Sequence, residues 1–158
     1  MNNLKVGFIG GGNMAYAIAK GLIGSKLINQ NMVWTSARTD AKLNTIWQEL
    51  DTHTSTKNKD IVDNADIIFL CVKPHLLLGV LEEISSSVKP HQIYISVAAG
   101  ITIDCMQKKL PCGTKIVRTM PNTPCLVQSG VIIYSLGNYC SSDEGNIIKT
   151  LLSSTGKM

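Results

Sequence analysis

The sequence predicts an α/β fold, a doubly wound, mainly parallel sheet flanked by helices. Short apolar runs alternate with helix-patterned stretches roughly 20–25 residues apart, the signature of βαβ units. The run Ile67-Ile68-Phe69-Leu70-Cys71-Val72 contains nothing polar, as expected of a central strand covered on both faces. Three successive glycines, Gly10-Gly11-Gly12, stand where the first apolar run hands over to the first helix.

Each element has its own sequence signal. Leu4 to Ile9 is an apolar run of strand length, and Met14 to Gly24 repeats apolar residues at helical spacing, with Ala15, Ala19 and Gly21 keeping one face small. Met32 to Thr35 is a second strand. Ala41 to Leu50 is a helix, with Leu43, Ile46, Trp47 and Leu50 at three- and four-residue intervals. His53 to Ser55 is a short third strand and Asn58 to Asn64 a short helix. After the buried strand come a helix over Leu76 to Ser86, a strand over Gln92 to Val97, a helix over Ile103 to Leu110 and a strand over Lys115 to Arg118. Val131 to Ser135 is a further strand, and Asp143 to Leu152 a final helix. No internal repeat, low-complexity tract or interdomain linker interrupts the order, so residues 1–158 read as one domain.

Composition narrows the function. Charged residues are 16% of the chain, below the roughly 25% of typical soluble domains, which points to surface covered by another domain or subunit. The net charge of +4 is spread without any block of like charges, so no nucleic-acid partner is expected. No secretory signal and no membrane-spanning helix is expected. The five cysteines are odd in number and form no C-x-x-C pair, which argues against a disulfide framework and a zinc site. Idle thiols fit a reducing compartment, and a cytoplasmic location is expected, with a mitochondrial one left open. His53, His75 and His91 are dispersed, so no metal ligand set and no catalytic acid or base is assigned.

Glycine loses more conformational entropy on folding than any other residue, so three in a row need a reason. Gly10-Gly11-Gly12-Asn13-Met14-Ala15 fits G-x-G-x-x-A directly after a strand and at the start of a helix. In that context the first glycine permits the turn, the second lets a diphosphate approach the main chain, and the small third residue lets helix and strand pack closely. This makes the fold Rossmann-like and its ligand a dinucleotide. An NAD site usually ends its second strand in a carboxylate; here the chain reads Trp34-Thr35-Ser36-Ala37-Arg38-Thr39. Arg38 offers a planar fork of donors for a 2′-phosphate, so NADPH is expected, while Asp40 leaves NADH open.

In an open parallel sheet, ligands sit beyond the carboxyl ends of the strands. Three later strand ends are therefore candidates. Cys71-Val72-Lys73-Pro74 closes the buried strand and sets Lys73 at the cofactor edge. Val97-Ala98-Ala99 closes the next with small residues, against which a flat ring can lie. Met120-Pro121-Asn122-Thr123-Pro124 is stiffened by two prolines and presents Asn122 and Thr123.

Taken together, VGFIGGGNMAYAIAKGL, DIIFLCVKPH, ISVAAGITI and IVRTMPNTPCLVQSG resemble the N-terminal half of the pyrroline-5-carboxylate reductases. The resemblance implies NAD(P)H-dependent reduction of a cyclic imine, 1-pyrroline-5-carboxylate, to L-proline. It implies cofactor contacts at Ile9, Gly10, Gly11, Gly12, Asn13 and Met14, at Ser36 with Arg38 beside it, at Asn58, at Cys71, Val72, Lys73 and Pro74, and at Val97, Ala98 and Ala99. Asn122 and Thr123 fall near the substrate end. The family's second, all-helical domain, which forms an intertwined dimer and carries groups beside the substrate, has no match here. The chain is therefore expected to be the cofactor-binding part of the enzyme, cut short at its C-terminal end, with homo-oligomers expected only for a longer form. A non-catalytic dinucleotide-binding module, and another NADP-dependent reductase with a similar domain, stand as alternatives.

Overall fold

Strand β1 (Val6–Ile9) lies third in a seven-stranded sheet in a computed structural model that describes residues 4–37, 47–120, 130–131, 133–153 and 156–157. Around it lie β2 (Val33–Ser36), β3 (His53–Ser55), β4 (Ile67–Leu70), β5 (Ile93–Ser96), β6 (Lys115–Met120) and β8 (Ile133–Leu136). The sheet order is β3-β2-β1-β4-β5-β6-β8. All pairings are parallel except β6 with β8. The order reverses direction between β1 and β4, the topological switch point at which α/β sheets open a crevice. Two-residue strands β7 (Gly130–Val131) and β9 (Gly156–Lys157) pair separately.

The helices are α1 (Asn13–Gly24), α2 (Asn58–Asn64), α3 (Pro74–Ile84), α4 (Ile103–Gln107) and α5 (Ser142–Leu152). They cover two apolar layers. One holds Val6, Phe8, Phe69 and Ile95 from the sheet with Ala15, Ile18 and Leu22 of α1 and Ile148, Leu151 and Leu152 of α5. The other holds Ile9, Ile68, Leu70, Tyr94 and Ile116 with residues of α2, α3 and α4. Strands β1, β4 and β5 have every side chain buried, because both of their faces are covered. Each fully buried large apolar side chain contributes about 1.5–3 kcal/mol.

The expected α/β order is observed, with shifted ends that have local causes. The buried strand stops at Leu70 because Pro74 opens α3, and Lys73 before it is held extended (φ −57°, ψ 145°). Helix α4 ends at Gln107 rather than Leu110: beyond it the Lys109 and Leu110 N–H groups donate three residues back, to the Met106 and Gln107 carbonyls, in a tighter turn ahead of Pro111. Of the helix expected over Ala41 to Leu50, residues 41–46 lie outside the described residues, and Gln48–Leu50 is a single 3-10 turn.

Candidate functional site

The turn after β1 is fixed from both sides. The Gly10 N–H donates to the Ser36 carbonyl at the end of β2 (3.1 Å), and the Cys71 N–H after β4 donates to the Ile9 carbonyl (2.8 Å). Gly10 has φ +96°, and a Cβ there would come within 2.9 Å of the Cys71 carbonyl. Only glycine fits. Gly12 differs: its φ of −79° suits any residue, and a Cβ there would meet nothing within 4 Å. The protein itself does not require that glycine, so the bare main chain faces open space. Helix α1 begins there with no side-chain cap and no acid in its first turn, leaving its N–H groups and positive dipole end turned outward. Ala15 is fully buried, as the close packing of helix on strand requires.

The turn opens into a cleft of about 780 Å³. Gly10, Gly11, Gly12, Asn13 and Met14 line it, with Cys71, Val72, Lys73 and Pro74 from the β4 end and Val97, Ala98 and Ala99 from the β5 end. Three strand ends, at β1, β4 and β5, thus bring twelve of the expected residues together. The β5 loop is tied in place: Ser96 Oγ accepts from the Ala98 N–H (3.2 Å) and the Leu70 carbonyl from the Val97 N–H (3.2 Å). Burial pushes the Cys71 thiol well above its usual range, so it stays neutral and behaves as part of the wall.

A second cleft of about 740 Å³ adjoins the first, sharing Gly10, Ala37, Val72 and Leu76. It lies beside the end of β2 and contains Asn58 with Lys57, Lys59, Gly79, Val80 and Glu83. Ser36, fully buried, donates its hydroxyl to Asn58 Oδ1 (2.7 Å), and Asn58 Nδ2 donates to Glu83 Oε2 (2.9 Å). Of the other expected residues, Ile9 has its side chain wholly in the core, so only its main chain reaches the turn. Arg38, Asn122 and Thr123 lie outside the described residues.

Sequence reasoning missed two contributors. Trp47 is fully buried and donates its indole N–H to the Gly11 carbonyl (2.9 Å), packing edge-on against Tyr16 (ring centroids 6.0 Å apart). The Tyr16 hydroxyl in turn donates to Glu49 (2.9 Å), and burial followed by that carboxylate raises the phenol's pKa. The second is the cleft face of α3: Leu76, Gly79, Val80 and Glu83 follow helical spacing one step out of phase with the buried Leu77, Leu81 and Ile84. That second stripe was visible in the sequence.

Residues 5–100 match the family model described as NADP oxidoreductase coenzyme F420-dependent. The chain is 39% identical over 153 residues to pyrroline-5-carboxylate reductase 3 of Danio rerio, covering 97% of this chain and 53% of that protein. Its fold superposes on a pyrroline-5-carboxylate reductase of Coxiella burnetii with a TM-score of 0.92 at 33% identity, over 99% of this chain and 58% of the other. A pyrroline carboxylate reductase of Plasmodium falciparum, solved with NADP bound, gives a TM-score of 0.88 at 29% identity over 99% and 57%. The chain spans about half the length of the curated relatives it matches. Glycine turn, sheet order and family model agree: this chain belongs to the NADP oxidoreductase, coenzyme F420-dependent, family.

Proposed function

We propose that this domain holds a nicotinamide dinucleotide, NADPH in the first place with NADH also accepted, and that the protein reduces 1-pyrroline-5-carboxylate to L-proline. One observation carries the reading: Gly12 has no internal reason to be glycine, and the space its missing side chain leaves lies over the uncapped start of α1. A diphosphate fits that space, because free N–H groups and a helix dipole favour negative charge there. The names of the relatives, pyrroline-5-carboxylate reductases, supply the substrate.

Each part of the site then has a task. The main chain of Gly10 to Met14 holds the diphosphate, and Lys73 adds positive charge at the same edge. Arg38 and Asn58 serve the adenosine ribose, and the buried Ser36 holds Asn58 in place from behind. Cys71, Val72, Pro74, Val97, Ala98 and Ala99 wall the nicotinamide side with small or apolar groups and keep water from it. When bound, the reduced nicotinamide supplies the hydride that the imine carbon takes up. Rigid walls tied by the Ser96 and Leu70 hydrogen bonds fix the ring plane, and such placement removes about 7–11 kcal/mol from a barrier. Asn122 and Thr123 serve the substrate end. The groups that grip the imine and its carboxylate, and the contacts that make an oligomer, we place in the half of the relatives' length that this chain does not span. All four described cysteines are free, which supports a reducing compartment such as the cytoplasm.

A second reading is a module that binds the dinucleotide without turning over. A titration with NADPH followed by an absorbance assay separates the two. Binding plus oxidation of NADPH that depends on pyrroline-5-carboxylate is the expected result for the enzyme. Binding without turnover leaves the module, and failure to bind NADPH or NADH overturns both.

A further inference from the structure

The cleft beside β2 contains a carboxylate whose hydrogen-bond donor is an amide rather than a cation. Glu83 accepts from Asn58 Nδ2 at 2.9 Å, and among the described residues it forms no salt bridge. Its neighbour Glu82 points elsewhere and pairs with Lys109 at 2.6 Å. Asn58 is held at its other end by the buried Ser36 hydroxyl (2.7 Å); because the Glu83 carboxylate only accepts, Nδ2 faces Glu83 and Oδ1 is left to accept from Ser36. One turn back along α3, Gly79 would meet nothing within 4 Å if it carried a Cβ, so the wall beside Glu83 has room for a flat group. Lys57 and Lys59 stand on the same cleft.

The ribose of a dinucleotide seated on a β1 glycine turn falls at the end of β2, where its 2′ position meets a carboxylate in NAD sites. Here β2 itself, Val33–Ser36, carries no acid, and Asp40 lies outside the described residues. We infer that Glu83, reaching in from α3, takes that part: it is the residue that limits this protein's preference for the 2′-phosphorylated cofactor. Its carboxylate accepts from a 2′-hydroxyl and repels a 2′-phosphate, against the pull of Lys57 and Lys59 on the same cleft. The ligand class is the adenosine end of the cofactor, with or without a 2′-phosphate. The inference rests on the dinucleotide reading above.

The probes are 5′-AMP and 2′,5′-ADP, which differ only at the 2′ position and need no turnover. Their dissociation constants are measured by calorimetry for the unaltered protein, for Glu83→Gln and for Glu82→Gln, at low and moderate salt. Glu83→Gln removes the charge but keeps the size and the acceptor for Asn58. It is expected to tighten 2′,5′-ADP about three- to tenfold and to leave 5′-AMP unchanged or weaker, with the difference shrinking as salt rises. Glu82→Gln removes the same charge one residue away and is expected to leave the ratio of the two constants where it was. An unmoved ratio in Glu83→Gln, or an equal shift in Glu82→Gln, overturns the inference and leaves the dinucleotide reading standing. If the unaltered protein binds neither probe, NADPH nor NADH, the dinucleotide reading falls and this inference falls with it.

Discussion

The indole N–H of Trp47 donates to the Gly11 carbonyl at 2.9 Å, tying a fully buried side chain to the middle of the glycine turn. The turn is therefore supported from beneath by a residue 36 positions away. Trp47→Phe keeps an aromatic ring between Phe8 and Tyr16 but leaves that buried carbonyl without its donor. A loss of about 1–3 kcal/mol in stability is expected from urea unfolding. NADPH affinity is expected to fall as well, since the turn's N–H groups lose their fixed aim.

Gly10 and Gly12 are expected to separate folding from binding. Gly10→Ala combines a φ of +96° with a clash against the Cys71 carbonyl, and a loss of about 2–4 kcal/mol is expected by denaturation. Gly12→Ala meets nothing. Its weaker helix capping and its less flexible unfolded chain roughly cancel, so the unfolding midpoint is expected to hold still. The added methyl group fills the diphosphate's space, and NADPH affinity is expected to drop at least about tenfold, read by fluorescence titration.

Helix α5 begins with a capping box in which Ser141 and Glu144 bond reciprocally, and Lys115 reaches Glu144 as well. Burial works against the charged carboxylate, yet the bonds from Lys115 and Ser141 outweigh it and hold the Glu144 pKa below its usual value. A carboxyl depressed in the folded state contributes its full stability above the unfolded value of about 4.3 and loses it as the pH falls through the folded value. Glu144→Gln is expected to lower stability at pH 7 by about 1–2 kcal/mol and to flatten the acid limb of the stability curve below about pH 5. Denaturation across the pH range reads both.

Thiol reactivity is expected to follow burial. Burial raises the Cys71 thiol's pKa, so little thiolate forms there at neutral pH. Cys105 and Cys112 are exposed. Iodoacetamide at pH 8, followed by peptide mass spectrometry, is expected to label those two first and the half-buried Cys71 more slowly.

The parts that were legible in the sequence are those governed by nearby residues. Gly10 to Ala15 announced the turn and the start of the helix because the main chain itself bears the constraint. The run Ile67 to Leu70 announced a doubly covered strand because nothing polar interrupts it. The supports were not legible. The bonds of Trp47 to Gly11 and of Glu83 to Asn58 join residues 36 and 25 positions apart, and no local pattern carries such pairings. The antiparallel placement of β8 beside β6 was likewise hidden, since a strand's own alternation does not reveal its neighbour's direction.

Helix α5 shares one apolar layer with β1 and α1, so the first and last thirds of the described chain close the same core. During synthesis, Phe8 and Ile18 emerge long before Ile148 and Leu151 exist to cover them. The nascent N-terminal half must hold its sticky surface open until α5 has been made, which makes it a natural client for chaperones and a place where stalled ribosomes would leave aggregation-prone products.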